Sequence, residues 1–129
     1  MSKTAITSQE LTPPVGPFSQ AILVNGFLFL SGQVAQDPTT GKLVPGGVVA
    51  ETEQIFSNAA AVLRAAALGF DDVVSVRVFL TRIEDYQAMN AVYARHFTEP
   101  FPVRTAIGAA ALPLGASVEI DMIAKGADR

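Results

Sequence analysis

The sequence contains no cysteine and a single histidine, His96. Without cysteine there can be no disulfide, thiolate nucleophile or cysteine-bound metal, and one histidine cannot form a histidine cluster. The sequence also lacks a Gly-rich phosphate loop, a Ser-His-Asp order and any metal-ligand spacing. The chain therefore shows none of the sequence signatures of metal, nucleotide-phosphate or serine-hydrolase sites.

Charged residues are scarce. They make up 16% of the 129 residues, and half of the residues are hydrophobic, whereas an average domain is about a quarter charged. The net charge is −3 and there is no basic run, which argues against a nucleic-acid partner. So small and apolar a domain is expected to bury more surface in an oligomer, and we predict self-association.

Long apolar runs are also missing. The N-terminus lacks the apolar stretch of a signal peptide, and no uninterrupted apolar segment approaches the roughly 20 residues that cross a bilayer. We predict a cytoplasmic protein without a membrane partner. The length and the absence of repeats or linkers predict a single domain over residues 1–129.

The pattern of the sequence predicts a mixed α+β fold. Asn25-Gly26 between two apolar runs is a strong hairpin signal, and Thr81-Arg82-Ile83-Glu84 has the form of a capping box. The predicted elements are strands at 19–24, 27–31, 73–80, around Arg104 and at 117–124, with helices at 48–68 and 81–97. Two helices in this order are expected to cover one face of the sheet. Val73 and Phe79 point to the other face, which again predicts a partner subunit.

Arg104 lies in a strand that is otherwise apolar. Its face of that strand continues with Ala106 and Gly108, so the guanidinium is expected to stand over small neighbours with space beside it. A planar fork of donors in such a position suits a carboxylate ligand. The alternative is an arginine that reaches solvent from the end of a strand.

Two other features allow two interpretations each, and two more are given one. Glu119 and Asp121 share the side of the last strand that faces away from the apolar set, either at a pocket shared with Arg104, if their strands pair, or on a solvated edge strand. Ser31-Gly32 either lets a backbone N–H approach a ligand or forms an ordinary turn. His96 is interpreted as a histidine on the surface or at the C-terminal end of its helix, favoured by the helix dipole. The stripe containing Tyr86 and Tyr93 is interpreted as core rather than a stacking platform.

Several short stretches together resemble the Rid family, also called the reactive-intermediate deaminase or YjgF family. They are Gly16-Pro17-Phe18-Ser19-Gln20-Ala21, Ser31-Gly32-Gln33, Asn90, Phe101-Pro102-Val103-Arg104-Thr105 and Val118-Glu119-Ile120-Asp121. Each piece is short, but their order and spacing agree over nearly the whole chain. The resemblance implies a chorismate-mutase-like fold assembled as a homotrimer, with sites in the clefts between subunits.

The resemblance also implies an activity: hydrolysis of 2-enamino and 2-imino acids to 2-keto acids and ammonia, without metal or cofactor. Arg104 would hold the substrate carboxylate, and Glu119 would position and activate the attacking water. Ser31 and the Gly32 backbone would frame the site, and Asn90 would lie near it.

Two positions depart from the family pattern. Phe18 stands where tyrosine is common, so the ring can wall the cleft without a hydroxyl, and Ala106 stands where cysteine is frequent but can keep main-chain contacts. Both changes make the pocket more apolar and bear on substrate preference. A non-catalytic sensor of small carboxylic acids is the alternative function, and ribonuclease activity is a weaker one.

Overall fold

The computed structural model describes residues 2–126, which form one six-stranded sheet and two α-helices. The strands are β1 Thr4–Ile6, β2 Ala21–Val24, β3 Phe27–Gln33, β4 Val73–Leu80, β5 Val103–Gly108 and β6 Val118–Lys125, and the helices are α1 Gly47–Ala65 and α2 Tyr86–Tyr93. The strand order is β1-β2-β3-β6-β4-β5, with only β4 and β5 parallel among these described strands. The predicted mixed α+β fold is confirmed.

The hairpin of β2 and β3 forms as its turn residues predict. Asn25 and Gly26 both have positive φ, at 53° and 81°, as the type I′ turn between twisted strands requires. Val24 therefore pairs with Phe27, and Ala21 pairs with Leu30. This register places Leu28 and Leu30 on the buried face.

Both helices pack on one face of the sheet, as predicted. Ile55, Phe56 and Val62 of α1 are buried against alternate residues of the central strands, such as Val78 and Ile120. Removal of this apolar surface from water is the main stabilising contribution to such a layer. None of the helices described within residues 2–126 is long and apolar enough to cross a membrane.

A β-bulge reverses the prediction for the start of β4. Val73 pairs with Ala124, but Ser75 already pairs with Ile123, so Val74 is the extra residue. Val73 is consequently buried in the core, while Val74 is 43% exposed. Strict alternation along the strand had predicted the opposite. The prediction failed because a bulge shifts side chains to the other face of the sheet and leaves no clear mark in the sequence.

Two further local predictions were wrong. The capping box does not form: residues 83–85 make a 3₁₀ turn without a side-chain cap, and α2 ends at Tyr93 rather than near Phe97. Strand β1 was missed, because three residues are too short to show a period. It adds to the edge of the sheet by pairing Thr4 with Leu23 and Ile6 with Ala21.

The second face of the sheet, which we call the open face, is not covered by the helices. Its residues on the six strands include Phe27, Phe29, Arg77, Phe79, Val103, Ile107, Glu119 and Asp121. Phe29 is 44% exposed and Val103 is 70% exposed. Large apolar side chains in this number on one face are typical of a surface that meets another protein.

Candidate functional site

Arg104 points to the helix-covered face of the sheet. In the parallel register of β4 and β5 it pairs with Val76, and Ala106 pairs with Val78, whose side chains belong to the buried core. The small neighbours predicted from the sequence are therefore beside it. The partly buried guanidinium meets side chains of α2 instead of extending freely from the strand end.

Side chains of α2 hold the guanidinium in place. Arg104 Nη1 donates a hydrogen bond to Asn90 Oδ1 at 2.6 Å, and Nη2 donates to the Tyr86 hydroxyl at 2.5 Å. The guanidinium carbon lies 4.6 Å from the centre of the Tyr93 ring and 5.5 Å from that of Tyr86. These contacts fix the plane of the guanidinium by hydrogen bonds and cation–π attraction.

The contact of Tyr86 and Tyr93 with Arg104 was not predicted from the sequence. Tyr93 is buried, as its place in the apolar stripe predicts, and burial raises the pKa of its phenol although the charge of Arg104 opposes this. Yet Tyr86 and Tyr93 also contact Arg104, beside Asn90. Their spacing of four and then three residues places all three on one helix face, and this pattern opposite the arginine strand was the available signal.

Glu119 lies on the open face. Along β6, Val118, Ile120 and Met122 are buried in the core, so Glu119 and Asp121 point away from it. β6 lies between β3 and β4, so the alternative of a solvated edge strand does not hold. Burial raises the pKa of the Glu119 carboxyl, and the charge of Asp121 raises it further.

Gly32 faces the Glu119 carboxylate at an irregularity between β3 and β6. Leu30 pairs with Met122, but the next pair is Gln33 with Ile120. A Cβ atom on Gly32 would clash with the carboxylate oxygen and would lie 3.1 Å from Glu119 Cδ. Bulges of this kind often redirect residues beside functional sites.

Ser31 holds the strand that carries Gly32. Its hydroxyl donates to the Ser19 carbonyl at 2.6 Å, and its backbone N–H donates to the Gln20 carbonyl at 2.9 Å. Both bonds fasten the end of β3 to the segment before β2. Ser31 therefore positions the backbone next to Glu119 and is more than an ordinary turn residue.

A cleft of about 750 Å³ opens beside Glu119. Four of the predicted site residues line it: Phe18, Ser31, Gly32 and Glu119. Apolar side chains such as Val15 and Leu114 form much of the wall. Among the described residues that line the cleft, Glu119 is the only charged one. Because its pKa is raised, the Glu119 carboxyl is better suited to donate a proton than an exposed glutamate is.

The predicted site residues thus form two separate groups in one chain. The first group is Arg104, Asn90 and Ala106 on the helix-covered face, and the second is Phe18, Ser31, Gly32 and Glu119 on the cleft. The strands of Arg104 and Glu119 do not pair, because β4 lies between them. The condition for a pocket shared through strand pairing is therefore not met within one chain.

His96 lies outside both groups. Its ring stacks on Phe56 with the ring centres 4.3 Å apart and also contacts Phe70. The residue is half-buried rather than on the surface, and burial lowers the pKa of its imidazole. Over residues 2–126, no group of three or more histidine, aspartate or glutamate side chains is placed to hold a metal ion.

The chain is similar to proteins of known name over nearly its whole length. A family model described as Endoribonuclease L-PSP matches residues 8–125. A 2-iminobutanoate/2-iminopropanoate deaminase of Capra hircus is 44% identical over 119 residues, covering 92% of this chain and 87% of that protein.

Solved structures have the same fold. A protein of the conserved Rid family from Yersinia pestis is 38% identical with a TM-score of 0.93, covering 96% of this chain and 99% of the other. The TdcF protein of E. coli, solved with bound serine, is 29% identical with a TM-score of 0.89, covering 96% and 99%. The match to the family model and the agreement in fold show that this chain belongs to the Rid (YjgF/RidA) family.

Proposed function

We propose that this chain is a cofactor-independent deaminase that hydrolyses 2-enamino and 2-imino acids, such as 2-aminocrotonate, to 2-keto acids and ammonia. The observation that carries the proposal is the position of Glu119, a half-buried carboxyl group packed against Gly32 in a mostly apolar cleft. The deaminase name of the relative from Capra hircus supports the same class of reaction.

Arg104 binds the substrate carboxylate in this proposal. A guanidinium has five N–H donors, and Asn90 and Tyr86 each accept one hydrogen bond from it. The donors left over suit a bidentate bond with a carboxylate, at about 1.5–3 kcal/mol for each charged hydrogen bond. Because α2 already fixes the guanidinium, little side-chain entropy is lost when the substrate binds.

Glu119 transfers protons in this mechanism. As a carboxylic acid it protonates the β-carbon of the enamine, and the nitrogen lone pair forms the C=N bond of the protonated imine. As a carboxylate it then takes a proton from water while the oxygen adds to the imine carbon. A raised pKa brings the acid and base forms closer to equal population near neutral pH, which favours both steps.

Collapse of the resulting carbinolamine completes the reaction. Glu119 returns its proton to the amine nitrogen, the C–N bond breaks and ammonia leaves with the bonding electrons. The hydroxyl group becomes the carbonyl of the 2-keto acid as its proton passes to the Glu119 carboxylate, which restores the acid form. Imines add water readily, so fixing substrate and water beside one proton-transferring group is sufficient catalysis without a nucleophilic side chain.

The two residue groups meet between copies of the chain, in an assembly that we propose to be a homotrimer. Arg104 and Glu119 lie on opposite faces of one sheet, with β4 between their strands. One small molecule can touch both side chains if Arg104 comes from one subunit and Glu119 from its neighbour. The exposed apolar side chains of the open face support such an assembly.

A coupled assay tests the activity. An enzyme that dehydrates serine or threonine generates 2-aminoacrylate or 2-aminocrotonate, and release of the keto acid is followed with and without this protein. We expect acceleration by the wild type and a loss of about 100-fold or more in Glu119→Gln. Binding of keto acids without acceleration would instead identify the protein as a non-catalytic sensor.

Subunit mixing tests whether the site is shared. Arg104→Ala and Glu119→Gln chains, each inactive alone, are co-expressed and purified as mixed assemblies. If each site takes Arg104 from one subunit and Glu119 from the next, random mixing in a closed ring restores about a quarter of the wild-type activity. If both residues of a site came from one chain, no mixture would recover activity.

The family model is described as an endoribonuclease, but RNA cleavage is not part of the proposal. The chain carries a net charge of −3, and the charged residue among the described residues lining the cleft is the acidic Glu119. A nucleic-acid site needs cations to neutralise phosphates.

A further inference from the structure

Arg77 and Asp121 form a bidentate ion pair on the open face. They are directly opposite each other in the antiparallel register of β4 and β6. Arg77 Nε lies 3.0 and 3.1 Å from the two carboxylate oxygens, and Nη2 lies 2.6 Å from Asp121 Oδ2. This bidentate geometry fixes both side chains more firmly than a single contact does.

The pair lies directly beside Glu119. Asp121 follows Glu119 by two residues on the same side of β6, a separation of roughly 6.5 Å along a strand. Phe79 is opposite Glu119 in the same register, and the guanidinium of Arg77 lies 5.7 Å from the Phe79 ring centre. Arg77 is therefore held by Asp121 and by the residue that packs across from Glu119.

Few other charges act on Glu119 from this face. Among the strand residues described on the open face, the charged side chains are Arg77, Glu119, Asp121 and Lys125. Lys125 is six residues beyond Glu119, at roughly 20 Å along the strand. β3 presents Gly32 to Glu119, and the helices and Arg104 of the same chain lie on the other face. In the proposed assembly Arg104 of the neighbouring subunit also approaches Glu119, and this arginine is the same in every variant compared below.

We propose that Arg77 controls the proton affinity of Glu119 by neutralising the neighbouring charge of Asp121, and is thus a positioning residue for the deaminase reaction. An unpaired Asp121 disfavours a second negative charge nearby and holds the proton on Glu119. Arg77 offsets part of this repulsion. The pair leaves Glu119 able to ionise, so that it can serve as the carboxylate that activates water as well as the acid. The catalytic consequence, though not the electrostatic one, rests on the proposed function.

The experiment is a carboxyl titration of the assembled protein by ¹³C NMR with labelled glutamate. The resonance of Glu119 is assigned as the one that is missing in Glu119→Gln. Arg77→Met removes the cation while keeping much of the side-chain volume, and we expect the Glu119 midpoint to rise by about 0.5–1 pH unit. Asp121→Asn leaves the cation and is expected to lower the midpoint by a similar amount.

Two further variants separate charge from structure. Arg77→Lys keeps the charge but not the bidentate fork, and its midpoint is expected close to that of the wild type. The double variant Arg77→Met/Asp121→Asn carries neither charge and is expected between the two single variants. Arg95→Met removes an exposed arginine that pairs with Glu53 in the helix layer and is the matched control, with an unchanged midpoint.

The outcomes distinguish this inference from the proposed function. An unchanged midpoint in Arg77→Met and Asp121→Asn, with native thermal unfolding, would overturn the inference. A shift of equal sign in Arg77→Met and Arg77→Lys would also overturn it, because the cause would be packing. If the midpoints shift as expected but the pH dependence of kcat/KM does not follow them, the role of Glu119 in deamination fails while the electrostatic coupling stands.

Discussion

Gly32 and Glu119 are packed so closely that no side chain fits between them. A Cβ atom on Gly32 would clash with the carboxylate and would lie 3.1 Å from Cδ and 3.4 Å from Cγ of Glu119. The contact joins the end of β3 to the middle strand β6 and leaves the backbone of Gly32 beside the carboxyl group. The glycine is needed here for space rather than for an unusual backbone angle.

Gly32→Ala is therefore expected to displace the Glu119 carboxylate. Overpacking of this kind costs about 1–3 kcal/mol, and the deaminase reaction should lose about tenfold or more in kcat, because small displacements of a proton-transferring group are costly. The measurements are urea unfolding and the coupled keto-acid assay.

Gly69→Ala is the matched control for this substitution. A Cβ atom on Gly69 meets no other atom within 4 Å, and φ is −143°, which alanine adopts freely. Its activity should equal that of the wild type. If Gly32→Ala were as active as Gly69→Ala, the close packing around Glu119 would have no part in catalysis.

The sequence predicted the parts of the fold that depend on local patterns. Asn25-Gly26 specifies its own turn, and strict alternation in β6 separates Glu119 from Ile120 and Met122. The candidate site residues came from short stretches that resemble one family. The sequence alone could not show that Arg104 lies on one face of the sheet and Glu119 on the other. That separation depends on the strand order, in which β6 lies between β3 and β4.

Local irregularities could not be predicted from the sequence for the same reason. The bulge at Val74 depends on how β4 pairs with β6, over 40 residues away along the chain. The bond between Tyr86 and Arg104 depends on α2 crossing above β5. Such contacts arise from tertiary packing, which overrides a pattern read along one strand or one helix.

Tyr86→Phe should weaken substrate binding more than turnover. The hydroxyl accepts a hydrogen bond from Arg104 Nη2, and its loss frees the guanidinium to turn away from the carboxylate-binding position. At about 0.5–1.5 kcal/mol for one hydrogen bond, KM should rise about two- to tenfold while kcat changes less. Steady-state kinetics with a 2-imino acid test this.

Asn90→Ala removes the other hydrogen bond to the guanidinium and is expected to act in the same direction. Arg104→Ala sets the upper limit, with a loss of about 100-fold in kcat/KM. If Tyr86→Phe lowered kcat as strongly as it raised KM, the tyrosine would act in the chemical step rather than through Arg104.

Glu119→Gln should make the folded protein more stable at neutral pH while it abolishes activity. Burial raises the pKa of Glu119 in the folded state, so the folded protein holds this proton more tightly than the unfolded chain. Its stability therefore falls as the pH rises from below the unfolded pKa, about 4.3, through the raised folded pKa. Glutamine does not ionise and escapes this loss.

The measurement is thermal unfolding of both proteins across a pH series. The Tm of Glu119→Gln should exceed that of the wild type at pH 7, and the difference should disappear below about pH 4. A pH-independent difference would mean that amide packing, not ionisation, separates the two proteins. A wild type more stable at pH 7 would mean that the carboxylate gains partners in the assembly.

Val103→Asp should separate the subunits and remove activity together. Val103 is 70% exposed on the open face at the edge strand β5, and a charge there opposes burial against another chain. Light scattering should change from an oligomer at micromolar concentration to a smaller species. Activity in the keto-acid assay should fall because each site needs two chains.

Val49→Asp, at the start of α1 and 43% exposed, is the control and should remain assembled and active. Two results would exclude a site built from Arg104 and Glu119 of different chains. The first is a wild type that scatters light as a monomer yet turns over substrate. The second is full activity in a monomeric Val103→Asp.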